Sequence, residues 1–382
     1  MQWLNSTGVA ISAFFILFIL SKRNRRRADY LLILINILMI SFLILDLVAR
    51  TQLTVWVFFL QSISPYLLFP VFLLYALEIL QEKNRINRYW ILLFAPAIIS
   101  IIFLIGELFF LHTYDAVELQ QLYDHPPFSY HILYKGNQLL FLAALIWLIK
   151  KLRDFGRNIK EQFSFIDPIE LSWLTETTWA YLGTTVVSFL IFIVSNFQLL
   201  PLDIQMAYSV VSGCIVLAAF YTSFQGIRHF TVAEYYGRLS LDAGRKLHEP
   251  IASESPTKYK TSSLSGAEQD SIFQSLLSLF ENQKVYLEPK LQLQEVADRL
   301  NVTTHHLSQT INSVSGKPFY DFVNSYRVKH LQNLLLDPTK RNLTILALGM
   351  DSGFNSKASL NRIFKDETGL SPKEYQQRNL RS

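Results

Sequence analysis

Seven apolar stretches fill most of the first 225 residues, at approximately 3–20, 30–49, 53–80, 89–111, 132–149, 174–198 and 204–225. Most are about 18–25 residues long, the length a helix needs to cross a hydrocarbon core of about 30 Å. The pattern predicts a polytopic seven-helix membrane unit over 1–225. The third stretch is long and contains Pro65 and Pro70, which predicts a kinked or tilted helix.

The loops between these stretches alternate in charge. Lys22, Arg23, Arg25, Arg26 and Arg27 fill loop 21–29; Lys83, Arg85 and Arg88 fill 81–88; Lys150, Lys151, Arg153, Arg157 and Lys160 fill 150–173. The intervening loops hold Arg50 and little else, and 112–131 is acidic, with Asp115, Glu118 and Asp124. Basic short loops face the cytoplasm. The reading is therefore a multi-pass protein of the bacterial cytoplasmic (inner) membrane, with its N-terminus outside and, after an odd number of crossings, its C-terminal region in the cytoplasm. In the first stretch the basic cluster follows the apolar run and no small-residue cleavage site comes after it, so it reads as an uncleaved helix and not as a signal peptide.

Several functions are argued against. A single cysteine, Cys214, permits no internal disulfide, and no CxxC or Cys/His metal spacing occurs. His305-His306 and His330 lack carboxylate or Cys company at ligand spacing, so surface roles are expected and no metal. Asp46, Glu78, Glu107, Lys135 and Glu176 fall near segment ends, within reach of headgroups; a ligand or ion site near the outer face would draw on Asp46, Glu107 or Lys135. No His pair with Glu, no Ser/Lys pair and no Gly-rich phosphate loop appears. No catalytic residue, cofactor or enzymatic activity is therefore expected.

After Phe224 the apolar run ends. Residues 226–250 predict a helix leaving the membrane, and 251–267, "IASESPTKYKTSSLSGA", a flexible linker. From about 268 to 382 the periodicity is that of short amphipathic helices. Ile272, Leu276, Leu277 and Phe280 form the apolar stripe of the first. In 292–300, "QLQEVADRL", Leu293, Val296, Ala297 and Leu300 share one face. Asn301-Val302 then turns the chain, and Thr303 is placed as N-cap of a helix 304–314 whose inner face is Leu307, Ile311 and Val314. Helix, short turn and second helix with exposed polar side chains is the helix-turn-helix pattern, here over about 292–314. The arrangement recurs at about 343–366. Leu343, Leu346 and Leu348 begin a helix, Asp351-Ser352-Gly353 turns, Phe354 packs inward and Asn355 is expected as N-cap. The following helix buries Ala358 or Ser359 with Leu360, Ile363 and Phe364, and exposes Lys357, Asn361, Arg362 and Lys365. A linker helix at about 318–336, with Phe319, Phe322, Val323, Val328, Leu331 and Leu334 inward, joins the two. The expected fold class is all-α: a seven-helix membrane bundle followed by a cytoplasmic domain of two helix-turn-helix units.

The segments "LQEVADRLNVTTHHLSQTINSVSGKPFYDFVNSYRV" and "LTILALGMDSGFNSKASLNRIFKDETGLSPKEY" resemble the DNA-binding domain of the AraC/XylS-type transcriptional regulators. In the second, Gly353-Phe354, Arg362, Phe364-Lys365, Gly369, Ser371-Pro372 and Tyr375 match the family's signature in register. The resemblance covers about a quarter of the chain and excludes the membrane half. It departs at Gly349, where Ala is usual, and at Leu360, where Phe is usual. A Gly at 349 costs the helix up to about 1 kcal/mol relative to Ala.

The resemblance implies that each unit lays its second helix in a major groove, in two adjacent grooves on one DNA face. Carried over, the base-reading residues are His305, Ser308 and Gln309 in the first helix and Lys357, Asn361 and Arg362 in the second. Arg or Lys suits guanine O6 and N7, and Gln or Asn suits adenine N6 and N7. An Arg at 362 can alternatively be spent on an intradomain salt bridge. Lys317, Arg327, Lys340 and Lys373 are the expected phosphate contacts. The implied function is a membrane-bound one-component transcription regulator. Its expected partners are double-stranded DNA, the lipid bilayer, a signal ligand or membrane partner of unknown identity, and a second copy in a homodimer. The alternative is a seven-helix receptor or transporter whose C-terminal helical domain binds a protein partner.

Overall fold

The computed structural model describes residues 2–23, 25–49, 54–80, 90–111, 118, 128–196, 204–228 and 264–380. The described chain is helical, joined by short turns. It divides into two units, one built from Met1–Arg153 and Leu171–Glu234, the other from Asp154–Glu170 and Tyr235–Ser382.

The first unit contains α1 (Gln2–Ser21), α2 (Arg27–Ala49), α3 (Val55–Ile79), α4 (Trp90–Leu111), most of α5 (Phe128–Gln162), α6 (Ser172–Asn196) and α7 (Ile204–Arg228). Each coincides with one of the seven apolar stretches. Among the described residues, three spans are long and apolar enough to cross a membrane: Arg27–Val48, Ser172–Val194 and Val210–Arg228. Within the unit α2 packs on α1, α3 and α7, and α6 on α7. Polar side chains between helices find one another, as buried groups must: the Asn36 amide donates to Ser223 Oγ at 2.9 Å, and Asn5 to Asp46 Oδ2 at 2.8 Å. Large apolar side chains such as Leu17, Ile102 and Leu217 point outward, about two-thirds exposed. The helix expected over 226–250 is seen as the end of α7 at Arg228; the rest of it, and most of the 251–267 linker, lie outside the described residues.

The second unit holds α8 (Gly266–Gln283), α9 (Leu293–Leu300), α10 (Thr304–Ser315), α11 (Phe319–Leu336), α12 (Ile345–Asp351), α13 (Lys357–Thr368) and α14 (Pro372–Leu380). Local sequence explains the boundaries. Ser265 and Glu268 form a capping box on α8, so the helix starts inside the stretch expected as linker. α9 ends at Asn301, whose φ of 55° is the left-handed conformation Asn tolerates. Thr303 caps α10 by accepting from His306 N–H at 3.2 Å, as expected. α13 is capped by Ser356, which accepts from Ser359 N–H at 3.0 Å. Asn355, the expected cap, instead sends its amide to the Pro289 carbonyl.

α11 sits centrally in this unit, packing on α10, α12, α13 and α14. On its first half, Phe319, Phe322 and Val323 join Leu276, Phe280, Val296, Leu307 and Ile311 in one core; a buried side chain of this size contributes about 1.5–3 kcal/mol. Val328, Leu331 and Leu335 from the second half are buried, as are Leu348, Phe354, Leu360 and Phe364. Val314, expected inward, is 42% exposed. It lies one residue from the end of α10, past the last turn that meets the core. Leu343 is exposed and precedes α12, which begins only at Ile345; within α12 Leu348 is buried and Leu346 is exposed.

Two glycines carry this packing. Gly353 has φ +88°, and a Cβ there would stand 2.8 Å from the Tyr286 carbonyl oxygen, so both conformation and space demand Gly. Gly349 faces Leu360: a Cβ would meet Leu360 Cδ1 at 2.3 Å. The two departures from the usual pattern are thus neighbours, and the helix propensity lost at Gly349 accompanies room for the Leu360 branch.

Candidate nucleic-acid interface

α9 with α10, and α12 with α13, are the two turn-linked helix pairs, and their second helices carry the residues singled out from sequence. On α10 His305 is exposed, while Ser308 and Gln309 are half-buried. On α13 Lys357, Asn361 and Arg362 are exposed, with Lys365 beside them. Ser359, Leu360, Ile363 and Phe364 bury the opposite face, so the polar set is held outward by packing.

The surroundings of α10 and α13 differ from the simple expectation of solvent. Residues 154–170, the end of α5 and the turn that follows, belong to the same unit. Ser308 Oγ and Asn312 Nδ2 both donate to Glu161 Oε2, each at 2.7 Å. Arg362 donates to Asp167 Oδ1 at 3.0 Å and to the Tyr320 hydroxyl at 3.2 Å. Ser356 Oγ donates to Asp167 Oδ2 at 3.2 Å. Burial opposes the Arg362 charge, but the Tyr320 hydroxyl, Asp167 and Glu170 outweigh it and hold the guanidinium more firmly protonated than usual. Burial raises the Tyr320 hydroxyl above its ordinary value, with Arg362 opposing. One carboxylate of 154–170 therefore meets each of the two outward helices.

Of the four expected phosphate contacts, Arg327 is corrected. It is 1% exposed. Its guanidinium donates to the carbonyls of Tyr286 at 2.8 Å, Glu288 at 2.7 Å and Ser164 at 3.1 Å, and to Asn324 Oδ1 and Ser164 Oγ. Five N–H groups are all an arginine has, so a phosphate finds neither access nor donors there. Arg327 is a structural tie between α11, the turn after α8 and residue 164. Lys317 ion-pairs with Glu367 at 2.8 Å, partly exposed on both sides. Lys340, in the short turn Pro338–Lys340, is half-buried, and Lys373, at the start of α14, is exposed.

Sequence reasoning missed the part played by Glu161, Ser164 and Asp167. Their stretch was legible only as the edge of a basic loop, and nothing in "EQFSFID" signals what it will meet some 150–190 residues later. Asn312 was within reach, since i, i+4 spacing places it over Ser308 on the same face.

The C-terminal stretch is similar to known proteins. Residues 296–378 match the helix-turn-helix domain family, of the AraC type, a stretch that contains the second helix pair and all of the first but the opening residues 293–295 of α9. Uncharacterized HTH-type transcriptional regulators of Staphylococcus aureus, from strains COL and MSSA476, are 32% identical over 92 residues, which is 24% of this chain. The chain spans only 12% of the length of these relatives. A solved structure of a Listeria innocua protein of unknown function aligns over 28% of this chain and 95% of its own, at 25% identity and a TM-score of 0.25. The chain carries an AraC-type helix-turn-helix domain at its C-terminus, of the kind found in transcriptional regulators.

Proposed function

We propose that the protein is a membrane-bound one-component transcription regulator: two helix-turn-helix units read DNA in sequence-specific fashion, under control of a signal received by the seven-helix unit. The observation that carries the DNA reading is the pair of outward polar helices, α10 and α13, fixed on one shared support, α11, inside a stretch that matches the helix-turn-helix family. His305, Ser308 and Gln309 then read one major groove and Lys357, Asn361 and Arg362 the next, while Lys317, Lys340 and Lys373 hold phosphates. Arg327 is left out of this set.

The membrane part rests on two supports. Helices coincide with all seven apolar stretches, and three are of crossing length and composition. Loop 150–173, which the charge pattern puts in the cytoplasm, supplies residues 154–170 to the same unit as the C-terminal helices, which is compatible with two crossings between them. The DNA must then come to the membrane.

The test is a map of the DNA crosslinked to the intact protein in its native cell. Discrete sites sharing one motif are expected. Recovery no better than that of a control lacking the protein would overturn the reading and favour a protein-binding tail.

A further inference from the structure

Residues 154–170 lie against both of the outward helices, α10 and α13. Glu161 accepts from Ser308 and Asn312 on α10, and Asp167 accepts from Arg362 and Ser356 on and beside α13. Between these two acids the segment is anchored. Ser164 N–H donates to the Leu291 carbonyl at 3.1 Å, Ser164 takes two Arg327 donors, and Ile166 is buried. Phe163 pairs with Gln292 in a single antiparallel bridge. Lys160 lies over the Tyr320 ring at 5.6 Å. The acids stand six positions apart and each takes a residue from a different one of the two outward helices.

We infer that segment 154–170 is a built-in competitor for DNA: with Glu161 and Asp167 seated on the two reading helices the domain is closed to DNA, and DNA binding requires the segment to leave. This rests on the DNA-binding reading above. The chemistry is that of substitution. A carboxylate on Arg362 takes the donors a guanine would use, and one on Ser308 and Asn312 takes those an adenine or a phosphate would use. A duplex brought to the same face also sets its phosphates against both acids. The anchor and the acids differ in kind. Ser164 and Ile166 are buried, whereas the Arg362–Asp167 pair is partly exposed, with side-chain exposures of 44% and 27%, and such pairs hold weakly. The segment is continuous with α5 and leads into α6. A displacement of either helix along the chain therefore acts directly on the acids, which offers a route from a membrane signal to the reading face.

The test uses the full-length chain in lipid nanodiscs. The probe is a fluorescein-labelled 40-base-pair duplex pool, enriched from random sequence on the same chain. Glu161→Gln/Asp167→Asn is compared with wild type, and with the charge-matched control Asp270→Asn/Glu281→Gln on exposed positions of α8. Expected is a gain of about tenfold in affinity for the loop variant, near the low end of intramolecular coupling, and a much smaller gain for the control. Hydrogen exchange in wild type should accelerate over 159–169 when the duplex is saturating. If the loop variant binds no tighter than the control, or exchange over 159–169 is unchanged by DNA, the segment is a structural brace and the inference is overturned while DNA binding stands. If none of the chains enriches DNA, the DNA reading fails and takes the inference with it.

Discussion

Two regions of the second unit use arginine in opposite ways. In the interior of α11, Arg327 is sealed, and its donors are spread over carbonyls from two distant parts of the chain, the turn at Tyr286 and Glu288 and residue Ser164. On the outer face of α13, Arg362 is 44% exposed in its side chain and held by one carboxylate and one hydroxyl. The residue type is the same and both lie in the matched stretch, so composition cannot separate them. Burial does: a buried guanidinium must have each N–H satisfied by fixed protein groups. A half-exposed one keeps partners that can be exchanged.

The sharpest way to break this comparison is Arg327→Ala. Several buried acceptors would lose their donor at once, each at about 1–3 kcal/mol. We expect the second unit to lose about 3–5 kcal/mol, read from amide hydrogen exchange in α11 of the full-length protein. A loss in DNA binding with unchanged exchange would put Arg327 back at the phosphates. Arg362→Ala should show the converse. Specific DNA affinity should fall by about 1–3 kcal/mol with nonspecific affinity nearly kept, while exchange in α11 moves little, because exposed ion pairs contribute little. Equal binding of the selected duplex with and without Arg362 would reduce it to a salt-bridge residue.

A third kind of position sharpens the contrast. Lys340→Ala should weaken binding to every sequence alike and flatten the salt dependence, lowering the slope by about one. A sequence-selective loss would contradict its assignment to phosphate. The smallest effect concerns His330, on α11. Burial, and then Lys284, depress its pKa below the ordinary 6.5. A depressed pKa means the unfolded chain takes up the proton first, so the stabilising contribution is full above about 6.5 and lost as pH falls through the lowered value. His330→Gln should flatten the pH dependence of α11 exchange between pH 7.5 and 5; an unchanged profile would show that His330 does not titrate against folding.

Much of the fold was legible because its determinants are local. Apolar length marked the seven helices, period 3.6 marked the stripes of α8, α9 and α11, and Thr303 and Gly353 marked a cap and a turn. The polar face of α13 followed from which of its residues must be inward, and so its outward set was readable. What was not legible depends on partners far along the chain. Arg327 reads as one more cation until Tyr286, Glu288 and Ser164 are seen around it. The Asn355 cap failed because Ser356, the next residue, takes the role while Pro289 takes Asn355. Gly349 reads as a flaw in a helix until Leu360 is found against it. Residues 154–170 read as a charged edge of a loop, since the helices they meet lie more than a hundred positions away.

In the proposed function, α10 and α13 together read DNA on a membrane-held chain. The most direct measurement is selection from a random duplex library by the full-length protein in nanodiscs, repeated across a salt series. Expected are one enriched motif with two elements about one helical turn apart, a falling affinity with salt, and loss of one element alone in Arg362→Ala. Enrichment of no motif, or of one that Arg362→Ala leaves intact in both elements, would contradict the proposed function.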